Sequence, residues 1–273
     1  MTDLVTIDIQ DQVADVRLNR PEKMNALSMP MFDAIVAAGQ QLQKDTSVRA
    51  VVLSGEGRGF CAGLDLANFT DPSGLAAPFG EGKGGYWPNY YQLPAFVWKS
   101  IPVPVICALH GVTYGGGAQI ALGADIRIAH PNLRMSIMEI KWGLIPDMSA
   151  SQTLRDLVRL DVAKELTFTG RVVEGLEAQQ IGLVTSLSET PREAALEMAA
   201  GIAKRNPNAI TLGKYLLDNT WHGDQIEGLR VEERLQGKLL KSHNQIEAVM
   251  AGMQKREGNY NDRDVVDFND VNI

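Results

Sequence analysis

Apolar and polar positions at the start of the chain predict two short strands, and the period then changes. Leu4–Ile9 and Val13–Leu18 are β-rich and are separated by the polar "QDQ", which predicts a hairpin. The loop "NRPEKMNALS" follows, and Ser28 predicts an N-cap for a helix over Met29–Lys44, with Pro30 tolerated in the first turn. Within that helix Phe32, Ile35, Val36 and Leu42 recur at helical spacing. "AVVLSG" (50–55) is apolar almost throughout, as a strand buried on both faces requires, and "VPVICAL" and "IRIAH" predict two more strands. Strands alternating with loops and helices imply an α/β fold with right-handed crossovers. From about Ser149 onward the pattern is almost wholly helical, broken by Gly, Asn or Pro. We therefore place an α/β core in residues 1–200 and a helical region in 201–273. Segment 70–95 is rich in Gly, Pro and aromatics and has no clean period, which suits a functional loop. Its Phe79, Tyr86, Trp87, Tyr90 and Tyr91 are read as packing or a pocket wall.

Composition narrows the function classes. A chain of 273 residues allows one α/β domain with a small appendage, and 45% hydrophobic with 22% charged residues is ordinary for a soluble globular protein. The net charge of −7, with no basic run, disfavours nucleic acid, although a few local cations can still hold a small polyanion. The N-terminus lacks the basic and apolar regions of a secretory signal, and no apolar stretch is long enough to span a bilayer. Cys61 and Cys107 do not make a disulfide scaffold. The expectation is a cytoplasmic protein with no membrane partner.

Two Gly-rich loops each follow a buried strand: "FCAGLDL", with Gly63, and "YGGGAQIAL", with Gly115, Gly116 and Gly117. The second opens a helix, so its first N–H groups lack helical partners. Side by side, the two loops would supply paired donors to one oxygen; the competing reading is that the glycines only make tight turns. No phosphate-binding or dinucleotide fingerprint is present. His110, His130, His222 and His243 lack metal-ligand spacing, so no metal is expected. Ser149 and Ser151 lack a nucleophile frame, and Cys61 reads as a small buried residue.

Taken in order, "LNRPEKMNALS", "GEGRGFCAGLDL", "HGVTYGGGAQIALGADIRIA", "EIKWGLIPDMS" and "TGRVVEGLEAQQIGLV" resemble the crotonase superfamily, the enoyl-CoA hydratases and isomerases, over nearly the whole chain. The resemblance implies a spiral of ββα units, a C-terminal helical region that supports a homo-trimer or a hexamer, and an acyl-CoA thioester substrate. It implies no cofactor beyond the coenzyme A that the substrate carries. Carried over, the oxyanion donors are the N–H groups of Leu64 and Gly116, which would hold the thioester oxygen as an enolate forms. The carbonyls of Ala62 and Leu66 would face the adenine, and Arg20 and Lys23 would lie near CoA phosphates, with a solvated-charge reading equally open. Ala26, Gly63, Asp65, Gly115 and Trp142 complete the implied CoA and substrate contacts, although Trp142 also reads as packing.

Typical hydratases of this superfamily carry two glutamates; here the first position is Gln119 and the second is Glu139. An amide orients but does not exchange protons, so the two-carboxylate water clamp is incomplete. Asp147, eight residues after Glu139, resembles the dienoyl-CoA isomerase branch, in which a Glu and an Asp move a proton along the acyl chain. That branch usually has an Asp where Gln119 stands. The expectation is double-bond isomerisation, with Glu139 as acid/base, Asp147 as its partner and Gln119 as a positioning group. Hydration of a 2-enoyl-CoA, thioester hydrolysis and a non-catalytic acyl-CoA-binding paralogue are the alternatives. Structural roles also stay open: Asp147 as a helix cap, and Glu139 as a salt-bridge partner of Lys141 or Arg134.

Overall fold

The computed structural model describes residues 3–65 and 88–265. Strands β1 (Val5–Gln10) and β2 (Val13–Leu18) form the expected hairpin, in register from Val5 against Leu18 to Gln10 against Val13. Asp11 and Gln12 both adopt positive φ, the backbone twist that a two-residue hairpin turn needs. Helix α1 (Met29–Lys44) begins where expected: the Ser28 hydroxyl accepts from Met31 N at 3.4 Å.

Strand β3 (Ala50–Gly55) pairs parallel with β2 and with β4 (Val105–Leu109), and β4 pairs with β6 (Ile126–Ala129). With β9 (Ser186–Leu187), the described residues form a six-stranded sheet of order β1-β2-β3-β4-β6-β9. Alternate residues of the apolar strands serve two cores, which is why β3 lacks polar alternation. Val51, Leu53, Val105 and Cys107 pack towards α1, α2 (Leu93–Lys99) and α3 (Gly116–Leu122). Ala50, Val52, Ile106, Ala108 and Ile128 pack on Ala195, Ala199 and Ala203 of α7 (Pro191–Ala203), whose small side chains let the helix lie close to the sheet.

The region after Ser149 is less uniformly helical than its sequence pattern. The stretch from Ala150 divides into α4 (Ala150–Thr153) and a 3₁₀ turn, Leu154–Asp156, and then α5 (Leu160–Thr169) and α6 (Gly175–Gln180) follow. Two-residue strands, β8 (Val173–Glu174) and β9, interrupt the helices because they extend sheets laid down earlier in the chain. A second sheet of order β5-β7-β8 is built on β7 (Arg134–Ser136) and on β5 (Val112–Tyr114), which lies at the start of the glycine-rich stretch before α3. Helix α7 runs across residue 200 and belongs to the sheet layer, so the outer helices begin with α8 (Pro207–Thr220). Helices α9 (Gln225–Leu239) and α10 (His243–Gln254) follow, and Leu212, Val231 and Leu235 form a separate small core between α8 and α9. Lys214 ties α8 to the sheet through Asp125 at 2.7 Å and the Val103 carbonyl at 3.2 Å. Among the described residues no helix is long and apolar enough to cross a membrane.

One buried side chain organises the loop between β2 and α1. Asn25 is fully buried at φ 55° and donates Nδ2 to the carbonyls of Glu56, Gly59 and Phe60 at 2.9–3.1 Å, while its Oδ1 accepts from Arg20 N at 2.8 Å. It joins this loop to the glycine-rich loop after β3. We expect Asn25→Ala to cost about 2–4 kcal/mol in urea unfolding, because carbonyls lose a buried donor and an alanine takes over a left-handed backbone.

Candidate active site

The two glycine-rich loops meet. Cys61 bridges to Thr113 and accepts from Tyr114 N at 2.9 Å, which draws the loop after β3 against β5. Gly63 lies at φ 87°, and a Cβ there would stand 2.7 Å from the Tyr114 carbonyl, so a side chain would push the loops apart. Gly117 is equally constrained, since its Cβ would meet Cys61 at 2.6 Å. The Gly116 nitrogen is 3.7 Å from the Cβ position of Gly63, which places it beside the "AGLD" loop. Leu27 N donates to Gly63 O at 2.8 Å and Asp65 N to Leu27 O at 3.1 Å, so backbone bonds hold Leu64 from both sides. Among the described residues the Leu64 and Gly116 N–H groups take no part in the backbone bonds that fix these loops.

Glu139 sits next to this junction on a 3₁₀ turn (Glu139–Trp142), with its Oε1 3.5 Å from where a Gly115 Cβ would be. The residue is 8% exposed. Gln119 is 1% exposed and determines how Glu139 is held. Its Oε1 accepts from Met148 N at 2.8 Å and Ala150 N at 3.2 Å, which forces its Nε2 to face Glu139, where it donates to Oε1 at 2.6 Å. Among the described residues Glu139 Oε2 is buried and has no hydrogen-bond partner. The salt-bridge role open for Glu139 is not taken: its partner is the Gln119 amide, while Lys141 lies over the exposed Trp142 ring at 5.7 Å.

Burial holds the Glu139 carboxyl above the ordinary carboxylate range; its own backbone N–H and the Gln119 amide pull it back, and the Asp147 charge raises it again. Asp147 is also raised, first by desolvation. It lines a cavity of about 440 Å³ with Phe96, Ile145, Pro146, Ser149 and Gln152, and the apolar part of that wall supplies the desolvation although the residue is itself exposed. The capping role open for Asp147 is not taken either. Helix α4 starts after Ser149, which has φ 70° and makes no side-chain cap. The two carboxyls thus lie in different surroundings, and the charge of Asp147 is felt at Glu139.

The remaining sequence candidates divide. Arg20 is engaged by the protein itself, donating Nη1 to Asp65 Oδ2 at 2.7 Å and to the Ala26 carbonyl at 3.0 Å, so it braces the loop that carries Leu64. Lys23 is exposed at the turn after Pro21, and Ala26 is buried beside it. Ala62 is held through its N–H to the Met24 carbonyl at 2.9 Å. Leu66, Phe79, Tyr86 and Trp87 lie outside the described residues. Cys61 is buried and its thiol is pushed up to about 12 by desolvation, consistent with an inert packing role. Among the described residues no group of three His, Cys, Asp or Glu side chains gathers as a metal site. Sequence reasoning missed Asn25 and Ser149. An Asn ahead of an apolar run was a signal for a left-handed position, whereas nothing local marked Ser149.

Comparison with known proteins agrees with this geometry. A family model described as enoyl-CoA hydratase/isomerase matches residues 8–263. The mitochondrial methylglutaconyl-CoA hydratase of Mus musculus is 29% identical over 250 residues, covering 89% of this chain and 77% of that protein. The mitochondrial delta(3,5)-delta(2,4)-dienoyl-CoA isomerase of Mus musculus is 32% identical over 258 residues, covering 91% and 78%. The crystal structure of an enoyl-CoA hydratase from Bacillus anthracis superposes with a TM-score of 0.84 at 28% identity, covering 94% of this chain and 98% of that one. With the α/β core, its helical C-terminal region and the two joined glycine loops in place, the chain belongs to the enoyl-CoA hydratase/isomerase family.

Proposed function

We propose that the protein isomerises the double bonds of an unsaturated acyl-CoA, moving a proton between Glu139 and Asp147. The observation that carries this reading is the Gln119 arrangement. Its carbonyl is held by two backbone N–H groups, so the side chain offers Glu139 a donor and has no proton to exchange. The second carboxyl available to the site is therefore Asp147.

In this reading the thioester oxygen lies between the N–H groups of Leu64 and Gly116. Glu139 Oε2, ionised, takes a proton from C2 of a 3,5-dienoyl-CoA, and the electrons spread over the dienolate to the carbonyl oxygen. One donor of this kind has been worth about 3–4 kcal/mol in other enzymes, because it is aimed in advance at the developing charge. Asp147, protonated, returns a proton at C6, so the double bonds shift to C2 and C4 and the mass is unchanged. The cycle closes when the proton on Glu139 passes back to Asp147. The environments suit these roles: Gln119 favours the ionised form of Glu139, and nothing of that kind supports an ionised Asp147 beyond its own backbone.

Coenzyme A belongs to the substrate in this reading. The helical C-terminal region joins copies into a trimer or hexamer, which is supported by the exposed Leu217, Trp221, Ile226, Leu229 and Met253.

Product analysis tests the proposal. Incubation with a 3,5-dienoyl-CoA is expected to give a product of equal mass with a conjugated-diene absorbance. Gain of water on a 2-enoyl-CoA without diene isomerisation refutes it, and release of free CoA identifies a thioesterase. Asp147→Asn is expected to abolish isomerisation and leave urea stability within about 0.5 kcal/mol, since the carboxyl caps no helix. The pH–rate profile gives a further check. Glu139 must be ionised, so kcat/KM rises with pH through a value above the ordinary carboxylate range. Gln119→Leu removes the donor that favours the ionised form, so that limb moves to higher pH. The same variant strands the Met148 and Ala150 N–H groups, at about 1–3 kcal/mol of stability in urea unfolding. Gln119→Glu keeps an acceptor for both N–H groups and adds the missing carboxylate, so measurable hydration of a 2-enoyl-CoA is expected to appear.

A further inference from the structure

The 440 Å³ cavity beyond Asp147 differs in character from an alkyl-chain tunnel. Its lining is Pro88, Phe96, Ile145 and Pro146 on the apolar side, and Asn89, Gln92, Asp147, Ser149, Ser151 and Gln152 on the polar side. A plain hydrocarbon tail placed there would pack on the apolar side and leave the Ser149 hydroxyl unsatisfied.

Ser149 is the decisive residue. It is 8% exposed, its Oγ is buried, and among the described residues that oxygen has no hydrogen-bond partner. Ser54, Thr113 and Thr211 also have buried hydroxyls without a partner among the described residues, but of the four residues Ser149 is the one that lines this cavity, so its hydroxyl is the one a ligand there could satisfy. The position is also fixed. Ser149 stands at φ 70° between Met148 and Ala150, whose N–H groups are both bonded to Gln119. The same two bonds that orient Glu139 therefore orient Ser149.

The rest of the polar wall is similarly held. Asn89 N donates to Gln92 Oε1 and Gln92 N to Asn89 Oδ1, each at 3.0 Å, and Gln152 Nε2 donates to Ser151 Oγ at 3.2 Å. Among the described lining residues none is a Lys or Arg, and Asp147 is the acidic one. An acyl carboxylate entering this cavity would meet Asp147 and no compensating cation. A neutral donor/acceptor, by contrast, can bond to the Ser149 hydroxyl and to the amide side chains.

We propose that this cavity receives the far end of the acyl chain and selects a neutral hydrogen-bonding group there, of the hydroxyl class, over a methyl or a carboxylate terminus. The inference rests on the acyl-CoA reading of the site and specifies its substrate.

The test uses matched acyl-CoA series that differ only at the terminus: methyl, hydroxyl or carboxylate. Turnover is followed on the unsaturated series, and binding of the saturated series is measured by calorimetry. The hydroxyl-ended compounds are expected to exceed the methyl-ended ones about five- to tenfold in kcat/KM and in affinity, the gain of one buried hydrogen bond, with the carboxylates weakest. In Ser149→Ala the hydroxyl-to-methyl ratio is expected to fall towards one in both measurements, a change in ratio that general loss of stability does not produce. Methyl-ended compounds equal to or better than hydroxyl-ended ones, or carboxylates best, overturn the inference. Absent turnover with the binding order intact refutes the isomerase reading and upholds the cavity's preference. Failure of every series to bind refutes both.

Discussion

The Gln119 side chain ties three segments of the active-site region together by hydrogen bonds. It rises from α3, as the fourth residue of that helix, accepts from the backbone on either side of Ser149, and donates to Glu139. An amide suits this task because it offers an acceptor with two lone pairs and a donor at opposite ends of one rigid plane. Saturating the acceptor removes the ambiguity of the amide's orientation and directs the donor at the carboxylate. Buried networks of this kind matter energetically because each member would be left unsatisfied if another were removed.

Catalytic consequences follow from that link. With one oxygen of Glu139 bound to the amide, the other is the reactive one in the proposed reaction, and the carboxylate's basicity reflects burial set against a directed hydrogen bond. The backbone of 148–150 is held at the same time, so Asp147 and Ser149 project from a segment that cannot drift from the base. A second network performs the equivalent task for the oxyanion loops. Asn25 and the Arg20–Asp65 pair clamp the chain around Leu64, and the close contact of Gly63 and Gly117 with Tyr114 and Cys61 sets Gly116 beside it. Asn25, Gln119 and Glu139 are buried, so loss of any one of these bonds would leave a polar group without its partner.

What sequence determined, and what only the tertiary structure decided, divides along a physical line. Local and periodic information was legible: the β1–β2 hairpin, the Ser28 cap, α1, and the apolar β3 and β4, because propensity, turn chemistry and burial pattern all act within a few residues. The ordered motifs were equally legible as a family, since tight glycine loops and carboxylates at set positions leave an imprint that does not depend on knowing distances. The short β5, β7, β8 and β9 were not, because two or three residues carry no period of their own and become strands only when a distant edge supplies partners. Arg20 read equally as a phosphate contact or a solvated charge, while the fold gave it Asp65, 45 residues away in sequence, as an ion-pair partner. Asp147 read as an acid with a helix cap still open, and only the path of residues 147–150 removed the cap. Ser149 had no motif at all; its unpartnered hydroxyl arises from where neighbouring elements end, and that is information about packing that no single stretch of the chain contains.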